Sequence, residues 1–255
     1  MLIRHLTKLQ KNDMKTFTLK ATVRLACFIF LSIALLSSCK KDFIRGSGHV
    51  VTETRSVGNF TDVEIFGPFE VQLIPANTPG IEIRAEDNVI SAIETGVRDN
   101  SLFIRIRSSV HLRSHLPIRV FVSNPTFQRA KFNGSGTLTC KDTIKTPLFK
   151  YEVNGSAVAD LAVKADNLSV TVNGSGYTTL GGACKNLNGT INGSGNVDAW
   201  DLPTSVADLT INGSGEFRVL ASEHLTARIR GSGTIRFKGT ADLESDIQGS
   251  GRVIR

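Results

Sequence analysis

A four-residue motif recurs through the second half of the chain and constrains its fold more than any other feature. Copies or close variants begin at Asn133, Asn154, Asn173, Asn192, Asn212, Arg230 and Gln248. Most read Asn-Gly-Ser-Gly, and successive copies start 21, 19, 19, 20, 18 and 18 residues apart. Self-similarity at a nearly fixed period of this size is typical of a solenoid. The sequence therefore predicts a stack of repeating units over residues 133–255.

Apolar residues at fixed positions in the repeats indicate which kind of solenoid forms. One column follows the motif: Leu138, Val158, Thr178, Val197, Phe217, Ile235 and Val253. A second column precedes it: Val153, Val172, Ile191, Ile211, Ile229 and Ile247. Polar and apolar residues alternate around both columns, as in β-strands, and parallel crossovers are right-handed by strong default. We therefore expect an all-β fold, a right-handed parallel β-helix with rungs of about 18–21 residues.

The motif itself fits a corner of this scaffold. Its glycines supply backbone conformations with positive φ at no Cβ cost. Aligned asparagines are predicted to hydrogen-bond from rung to rung as a ladder formed by Asn133, Asn154, Asn173, Asn192 and Asn212, and the motif serines as a second ladder. A phosphate-binding loop would need a following Lys-Ser/Thr and a helix, and a calcium roll would need an Asp in each repeat. Neither pattern follows here.

Residues 46–132 alternate apolar and polar residues without the strict repeat, which predicts an irregular, β-rich N-terminal part of the same β-helix domain. One short helix is expected from Asn88 to about Thr95, with Asp87 as its N-cap. We expect this helix to cover the otherwise open end of the stack.

The first 38 residues have the features of a bacterial lipoprotein signal peptide. A basic stretch precedes an apolar core from Leu25 to Leu36, which is too short to span a bilayer. Small residues and Cys39 follow, as in a lipobox, so Cys39 is the predicted lipidation site and residues 39–45 a lipidated tether. Met14 is an alternative start to Met1. The charged residues after Cys39 resemble the start of many lipoproteins of the Bacteroidetes group, which predicts a place in the cell envelope, at the outer membrane.

Charge and cysteine content restrict the partners and the redox chemistry. The net charge is +7, but residues 1–38 contribute +5 of it, so the rest of the chain has no general attraction to nucleic acid. Cys140 and Cys184 are the only cysteines after Cys39. They lie more than two repeats apart, which places them about 10 Å apart in the stack, too far for a disulfide. Two free, buried thiols are expected.

The sequence also resembles a known family. The opening Gly-Ser-Gly-His-Val-Val-Thr-Glu-Thr-Arg at residues 46–55, the strand at residues 60–65, Asp-Asn-Ser-Leu at residues 99–102 and the repeated motif are together similar to the head GIN domain family of auto-transporter adhesins. This resemblance implies a β-helical fold and an extracytoplasmic setting. It supplies no catalytic or ligand-binding residues to transfer to this chain.

Three hypotheses for function follow. The first is a non-catalytic cell-envelope lipoprotein, anchored to the membrane by lipid, that presents its β-helical surface to a glycan or protein ligand for adhesion or scaffolding. The second is a carbohydrate-active β-helix enzyme, for which Asp198, Trp200 and Asp201 are the surface candidates. The third is a self-assembling envelope protein that associates through the open edge at residues 252–255.

No cofactor or metal is expected. His111 and His115 have the spacing of a zinc-binding helix, but the residues between them and Pro117 favour a loop, and no Glu or Cys lies nearby.

Overall fold

The computed structural model describes residues 42–255. This part of the chain is a nearly all-β solenoid of about 7 turns with rungs of about 19 residues, as predicted. The right-handed sense of the coil stays a prediction. The predicted signal peptide (residues 1–38) and Cys39 lie outside the described residues.

The secondary structure consists of strands β1 to β19 and one short helix, α1. The first part contains β1 (Asp42–Ile44), β2 (Val50–Arg55), β3 (Asp62–Phe66), β4 (Phe69–Pro75), β5 (Gly80–Glu86), α1 (Asp87–Ile90), β6 (Ile93–Arg98), β7 (Ser101–Ile106), β8 (Val110–Leu112) and β9 (Ile118–Asn124). The repeats contain β10 (Arg129–Gly134), β11 (Thr137–Lys145), β12 (Leu148–Gly155), β13 (Val158–Gly174), β14 (Tyr177–Gly193), β15 (Asn196–Gly213), β16 (Glu216–Gly231), β17 (Thr234–Lys238), β18 (Asp242–Gln248) and β19 (Arg252–Ile254).

Successive repeats pair in parallel, and their motifs are in register. Asn154 pairs with Asn173, which pairs with Asn192, and the same alignment continues into Asn212. Each rung therefore places the same motif position directly above its equivalent in the previous rung, about 4.8 Å away.

The stack continues into the N-terminal part, but not in chain order. Strands β10 and β11 pair in parallel with β3 and β4, and these pair in parallel with β7 and β9. Beyond them, β6 pairs antiparallel with β7, β5 antiparallel with β9, and β2 antiparallel with β5. Antiparallel strands thus cover the N-terminal end of the solenoid, which the sequence predicted a helix to cover.

The predicted helix is real but shorter than expected, and its predicted cap is wrong. Helix α1 ends at Ile90, and Ile93 already begins β6. Its N-cap is Glu86 rather than Asp87, with no capping bond from a side chain. Glu86 is buried and accepts hydrogen bonds from the backbone N–H groups of Gly48 and Leu116, at 2.7 and 2.8 Å. This carboxylate therefore fixes two loops of the N-terminal end instead of capping the helix.

Strand β1 lies inside the stretch that the sequence assigned to the tether at residues 39–45. It pairs with β8 in a separate two-stranded sheet. The Phe43 ring stacks on His111 with 5.7 Å between ring centroids, and the Arg113 guanidinium lies 4.5 Å from the centre of the same ring. Ordered structure in this chain therefore begins before residue 46.

Both predicted apolar columns form the core, with one correction. Before the motif, Val153, Val172, Ile191, Ile211 and Ile229 are fully buried, while Ile247 in the last rung is 39% exposed. After the motif, Ala159 and not Val158 is the core residue of its rung. The core residue of each repeat stands five residues after the first motif residue, and counting from Asn154 this residue is Ala159. Val158 stands one position earlier, pairs with Tyr177 and, like Tyr177, points outward.

The motif corner depends on its first glycine. Gly134, Gly155, Gly174, Gly193 and Gly213 have φ values between 128° and 139°, a region that side chains with a Cβ rarely adopt. The serine that follows donates its backbone N–H to the glycine carbonyl of the previous rung, as Ser194 does to Gly174 at 3.0 Å. One glycine per rung therefore both turns the chain and accepts a bond from the next rung.

The asparagine side chains form a continuous ladder. The amide nitrogen of Asn154 donates to the side-chain oxygen of Asn133 at 2.9 Å, and Asn173 donates to Asn154 at 2.8 Å. Asn192 and Asn212 continue the series at 2.7 and 2.8 Å. The serine ladder is wrong for most rungs, since among the described motif serines only Ser232 and Ser250 bring their hydroxyls together, at 3.0 Å.

The variation in repeat length is confined to the second corner of each rung, away from the motif. In β11, three residues (141–143) stand opposite one residue of β13. In β15, residues 200–202 have no counterpart in β16. Because these insertions are absorbed as bulges, the motif corners stay in register.

Cys140 and Cys184 are free and buried, as expected. They belong to different columns, since Cys140 pairs with Leu161 and Cys184 with Ala165. Burial raises the pKa of the Cys140 thiol to about 12, with a further contribution from the negative charge of Asp142. Burial also raises the pKa of Cys184, and a hydrogen bond with Thr204 partly offsets this.

Within the part of the chain that the structure describes, no helix is both long enough and apolar enough to cross a membrane.

We predict that Gly193→Ala lowers the free energy of unfolding by about 1–3 kcal/mol, because a Cβ is strained at this φ. The new methyl would also lie 2.5 Å from the carbonyl oxygen of Gly174. Gly181→Ala is the matched control, since a Cβ there meets only the Asp201 carbonyl oxygen, at 3.8 Å. Urea denaturation compares the two variants, and an equal loss of stability in both would contradict the role assigned to the motif glycine.

The ladder predicts an unequal cost for removing its asparagines. Asn173 both donates to Asn154 and accepts from Asn192, so Asn173→Ala breaks two bonds and should cost about 1–2 kcal/mol of unfolding free energy. Asn212→Ala breaks the one ladder bond to Asn192 and should cost about half as much. Equal midpoints in urea denaturation for the two variants would mean that the ladder adds nothing to the backbone pairing.

Thiol labelling tests the state of the cysteines. Since thiolate is the reactive form, a thiol reagent at pH 8 should leave Cys140 and Cys184 unmodified in the folded protein and label both in denaturant without reductant. Peptide mass spectrometry resolves the two positions. Failure to label either in denaturant would indicate a disulfide, and rapid labelling of the native protein would contradict their burial.

Candidate functional site

An outward-facing surface follows the motif corner on four successive rungs. It consists of Val158, Tyr177, Asn196, Asp198, Glu216 and Arg218, and we call it the Tyr177 strip. Strand alternation places these side chains outside while their neighbours, such as Ala159 and Val197, enter the core. Val158 and Tyr177 are 46% and 40% exposed. A depression of about 160 Å³ lies along the strip and is lined by all its members except Val158, together with Val197.

The charged end of the strip is a network of ion pairs. Arg218 bonds Asp198 and Glu216, each at 3.1 Å, and Glu216 also accepts from Arg236 at 2.8 Å. The hydrogen bond that Arg218 donates to Glu216 raises the pKa of its guanidinium most, and the bond that it donates to Asp198 raises this pKa further. Glu216 therefore lies between two arginines that are stacked in register and bridges their positive charges.

The three residues that the sequence selected lie on one strand, β15, in three different environments. Asp198 belongs to the strip, and its Oδ1 accepts from the Trp200 backbone N–H at 3.2 Å while Oδ2 faces Arg218. Trp200 lies in the bulge of β15, with the Lys238 amine 4.4 Å from the centre of its ring. Asp201 is exposed and pairs with Gly181 of the previous rung.

Two further acids of the repeats, Asp160 and Asp208, do not join Asp198 in a compact cluster. Asp160 occupies the same column, but Thr179 lies between them, so their strands are about 10 Å apart. Asp208 lies ten residues after Asp198 on the same strand, β15, close to the next motif corner. It forms an ion pair with Arg228. Each oxygen of Asp198 accepts a hydrogen bond from the chain, so this carboxylate is held in place by its own scaffold.

The histidine pair does not form a ligand set. His111 lies on β8 against Phe43, while His115 lies in the following loop with Nδ1 2.7 Å from the Leu116 carbonyl oxygen. Over residues 42–255, no group of three or more His, Cys, Asp and Glu side chains has the geometry to hold a metal ion.

Sequence analysis missed Tyr177, Glu216 and Arg218. A signal for them was present, because the outward positions lie four and six residues after the first motif residue of each repeat. Counting from Asn173 gives Tyr177, and counting from Asn212 gives Glu216 and Arg218. Aligning the outward columns as well as the apolar ones would have found the strip.

The fold is shared with solved structures of bacterial proteins. A crystal structure described as a "putative adhesin" from Bacteroides fragilis matches with a TM-score of 0.78 and 24% identity, over 82% of this chain and 98% of that chain. A "putative adhesin" from Parabacteroides merdae matches with a TM-score of 0.72 and 19% identity, over 83% and 98%. A "putative lipid binding protein" from Parabacteroides distasonis matches with a TM-score of 0.70 and 22% identity, over 83% and 98%.

A comparison with curated protein sequences finds no match. The family model described as "Putative auto-transporter adhesin, head GIN domain" matches residues 59–241. This range includes the antiparallel strands β5 and β6 at the N-terminal end and most of the motif rungs. The chain therefore belongs to the head GIN domain family.

Proposed function

We propose that this protein is a non-catalytic adhesin of the cell envelope, held at the outer membrane by lipid on Cys39, and that the Tyr177 strip contacts its ligand. Family membership supports adhesion and a place in the envelope. The lipobox before Cys39 supports the anchor.

The observation that supports the strip is the exposure of Val158 and Tyr177 beside ordered polar groups. Val158 and Tyr177 are in-register neighbours on adjacent rungs, so their exposed surfaces are contiguous. Asn196 extends the same column on the next rung, and Asp198 and Arg218 are fixed by ion pairs beside it. A tyrosine offers an apolar ring and a polar hydroxyl at low entropic cost, which is why it is enriched at binding surfaces.

This arrangement suits a glycan better than a small molecule. A sugar presents an apolar ring face and a rim of hydroxyls, which the Tyr177 ring and the polar residues of the strip can contact together. The depression of about 160 Å³ is smaller than the pockets that enclose typical small ligands. A ligand of the strip would lie across the rungs rather than inside a cavity.

The alternative of a carbohydrate-active enzyme rests on Asp198 and Asp201. Asp198 is bonded to Arg218 and to the Trp200 backbone, and Asp201 is exposed in the neighbouring bulge. Such enzymes place two carboxyl groups on either side of the bond that is cleaved. We favour binding because the two carboxylates do not form such a pair, since Asp198 is ion-paired with Arg218 and Asp201 lies at the bulge against Gly181.

Glycan-array binding of the purified protein tests the proposal. Tyr177→Ala should reduce binding to the recognised glycans at least tenfold without changing the melting temperature, because the ring is exposed. Leu243→Ala is the matched control, since Leu243 is also exposed, at 44%, but lies outside the strip, on β18 at the C-terminal end of the solenoid. Equal binding by wild type and Tyr177→Ala would exclude the strip as the contact surface.

Two further measurements separate the alternatives. Cleavage of a polysaccharide that is abolished by Asp198→Asn or Asp201→Asn would overturn the non-catalytic proposal. Light scattering that reports large assemblies, lost on deletion of residues 252–255, would favour self-assembly instead. Fractionation of cells should place the full-length protein with the outer membrane, and Cys39→Ala should release it.

A further inference from the structure

A second surface, on the corner opposite the motif, has an unusual charge arrangement. Its residues come from three successive rungs on β11, β13 and β14 and from the turn after β11. We call it the corner groove, and its lining includes Lys145, Pro147, Lys164, Ala165, Cys184 and Lys185, with Asp166 beside Lys185. Its volume is about 610 Å³, within the range of ligand-binding pockets.

Two lysines of the groove are stacked in register. Lys145 of β11 pairs directly with Lys164 of β13, and both side chains are exposed. Among the residues that the structure describes, neither makes an ion pair, whereas Lys185 is paired with Asp166 at 2.7 Å. Like charges directly opposite each other on neighbouring strands are destabilising. No ion pair within the described residues offsets this repulsion, and the nearby carboxylates, Asp166 in the groove and Asp142 in the adjoining depression, do not pair with either lysine.

Elsewhere on the solenoid, the chain neutralises comparable positions. Lys131 lies between Glu64 and Glu152 on its two neighbouring rungs and contacts both, at 4.0 and 3.3 Å. The stacked pair Arg218 and Arg236 is bridged by one oxygen of Glu216. In the first case two carboxylates of the chain flank one cation, and in the second a carboxylate of the chain bridges two cations. At Lys145 and Lys164, the place of such a bridge is open to an anion from outside.

From this contrast we propose that the corner groove binds an acidic polysaccharide, with one sugar carboxylate bridging the amines of Lys145 and Lys164 as Glu216 bridges its two arginines. Charge-assisted bonds from two ammonium groups to one carboxylate are among the stronger polar contacts available at a surface. Pro147, Ala165 and Cys184 give the groove an apolar lining against which a sugar ring can pack. The groove floor is held by backbone bonds from Asp166 and Asn167 to the Pro147 carbonyl, at 3.1 and 3.0 Å.

A polymer fits this site better than a lipid. Lys145 also lines an adjoining depression of about 380 Å³, which Pro75 and Pro125 of earlier rungs border. The two depressions together run across successive rungs, along the solenoid axis, so a chain can continue beyond the bound sugar. The exposed lysines and Pro147 leave the groove open to water, whereas an acyl chain requires an enclosed apolar site.

The corner groove is separate from the Tyr177 strip, and its proposal rests on the proposed adhesive function only for the source of the polysaccharide. If Tyr177→Ala does not affect glycan-array binding, the proposal for the strip fails and the proposal for the groove does not. If the groove does not bind polysaccharide, the proposal for the groove fails and the proposal for the strip does not. The two proposals are therefore tested by different variants.

The test measures binding of the full-length protein to polygalacturonate by isothermal titration calorimetry, with dextran as the neutral polymer. We expect binding to polygalacturonate and not to dextran, weakening as salt is raised. The double variant Lys145→Gln/Lys164→Gln should lose at least tenfold in affinity. The charge-matched control Lys150→Gln/Arg98→Gln, which removes two exposed cations outside the groove, should lose less than threefold.

A second measurement does not depend on the ligand. Without polysaccharide, Lys145→Gln/Lys164→Gln should raise the melting temperature relative to wild type, because it removes the repulsion between the stacked ammonium groups, whereas the control pair should not. Equal affinity losses in both double variants, absence of binding to polygalacturonate, or tighter binding to phosphatidylglycerol vesicles than to polygalacturonate would each overturn the proposal.

Discussion

The backbone hydrogen bond that five of the motif serines donate to the glycine carbonyl of the previous rung sets the register of the repeats. Ser175, Ser194 and Ser214 donate to Gly155, Gly174 and Gly193 at 3.0, 3.0 and 2.9 Å. The bond requires glycine, because each carbonyl lies where a Cβ of the next glycine would be. Since side chains alternate strictly along a strand, a slip of one residue at this corner would exchange the core and surface positions of the rung. The asparagine ladder beside it reinforces the same alignment from the side chains.

With the register fixed, packing in the core is adjusted between rungs rather than within each one. Gly189 occupies a core position between Val170 and Leu209. The Phe217 ring reaches into the space it leaves, and a Cβ on Gly189 would lie 2.7 Å from that ring. Large and small residues on different rungs thus fill one continuous interior. This explains why the columns tolerate residues as different as Ala159, Thr178 and Phe217.

The repeat arithmetic predicted the solenoid, the core columns and the structural role of the motif, since all three depend on one constant spacing. It failed where the spacing is not constant. The bulges at residues 141–143 and 200–202 absorb the length differences between repeats, and they lie at the second corner, where the corner groove and Trp200 also lie. The antiparallel end was missed for a related reason, because β7 and β9 stack beyond β3 and β4 although they follow them in the chain. Helix α1 was overextended because apolar residues such as Ile93, taken for a helix face, belong to strand β6.

The motif corner, which is nearly constant, has a structural role, whereas the residues that vary from rung to rung lie elsewhere on the surface. At the motif corner most rungs repeat the same Asn-Gly-Ser backbone and side chains, so a ligand there would meet nearly the same environment on each of them. Outside it, each column changes identity from rung to rung: the column of Asp198 contains Asp160 and Thr179 before it and Arg218 and Arg236 after it. Charged residues in one column are about 4.8 Å apart along the axis, so neighbouring charges interact strongly. Each charge is paired with an opposite charge of the chain, bridged by one, or available to a ligand. Glu216 shows the bridged case, and Lys145 with Lys164 shows a pair that the described chain leaves unbridged. The motif glycines fix the backbone geometry of this scaffold. The order of the charged side chains along a column is therefore what can make the surface specific for one ligand.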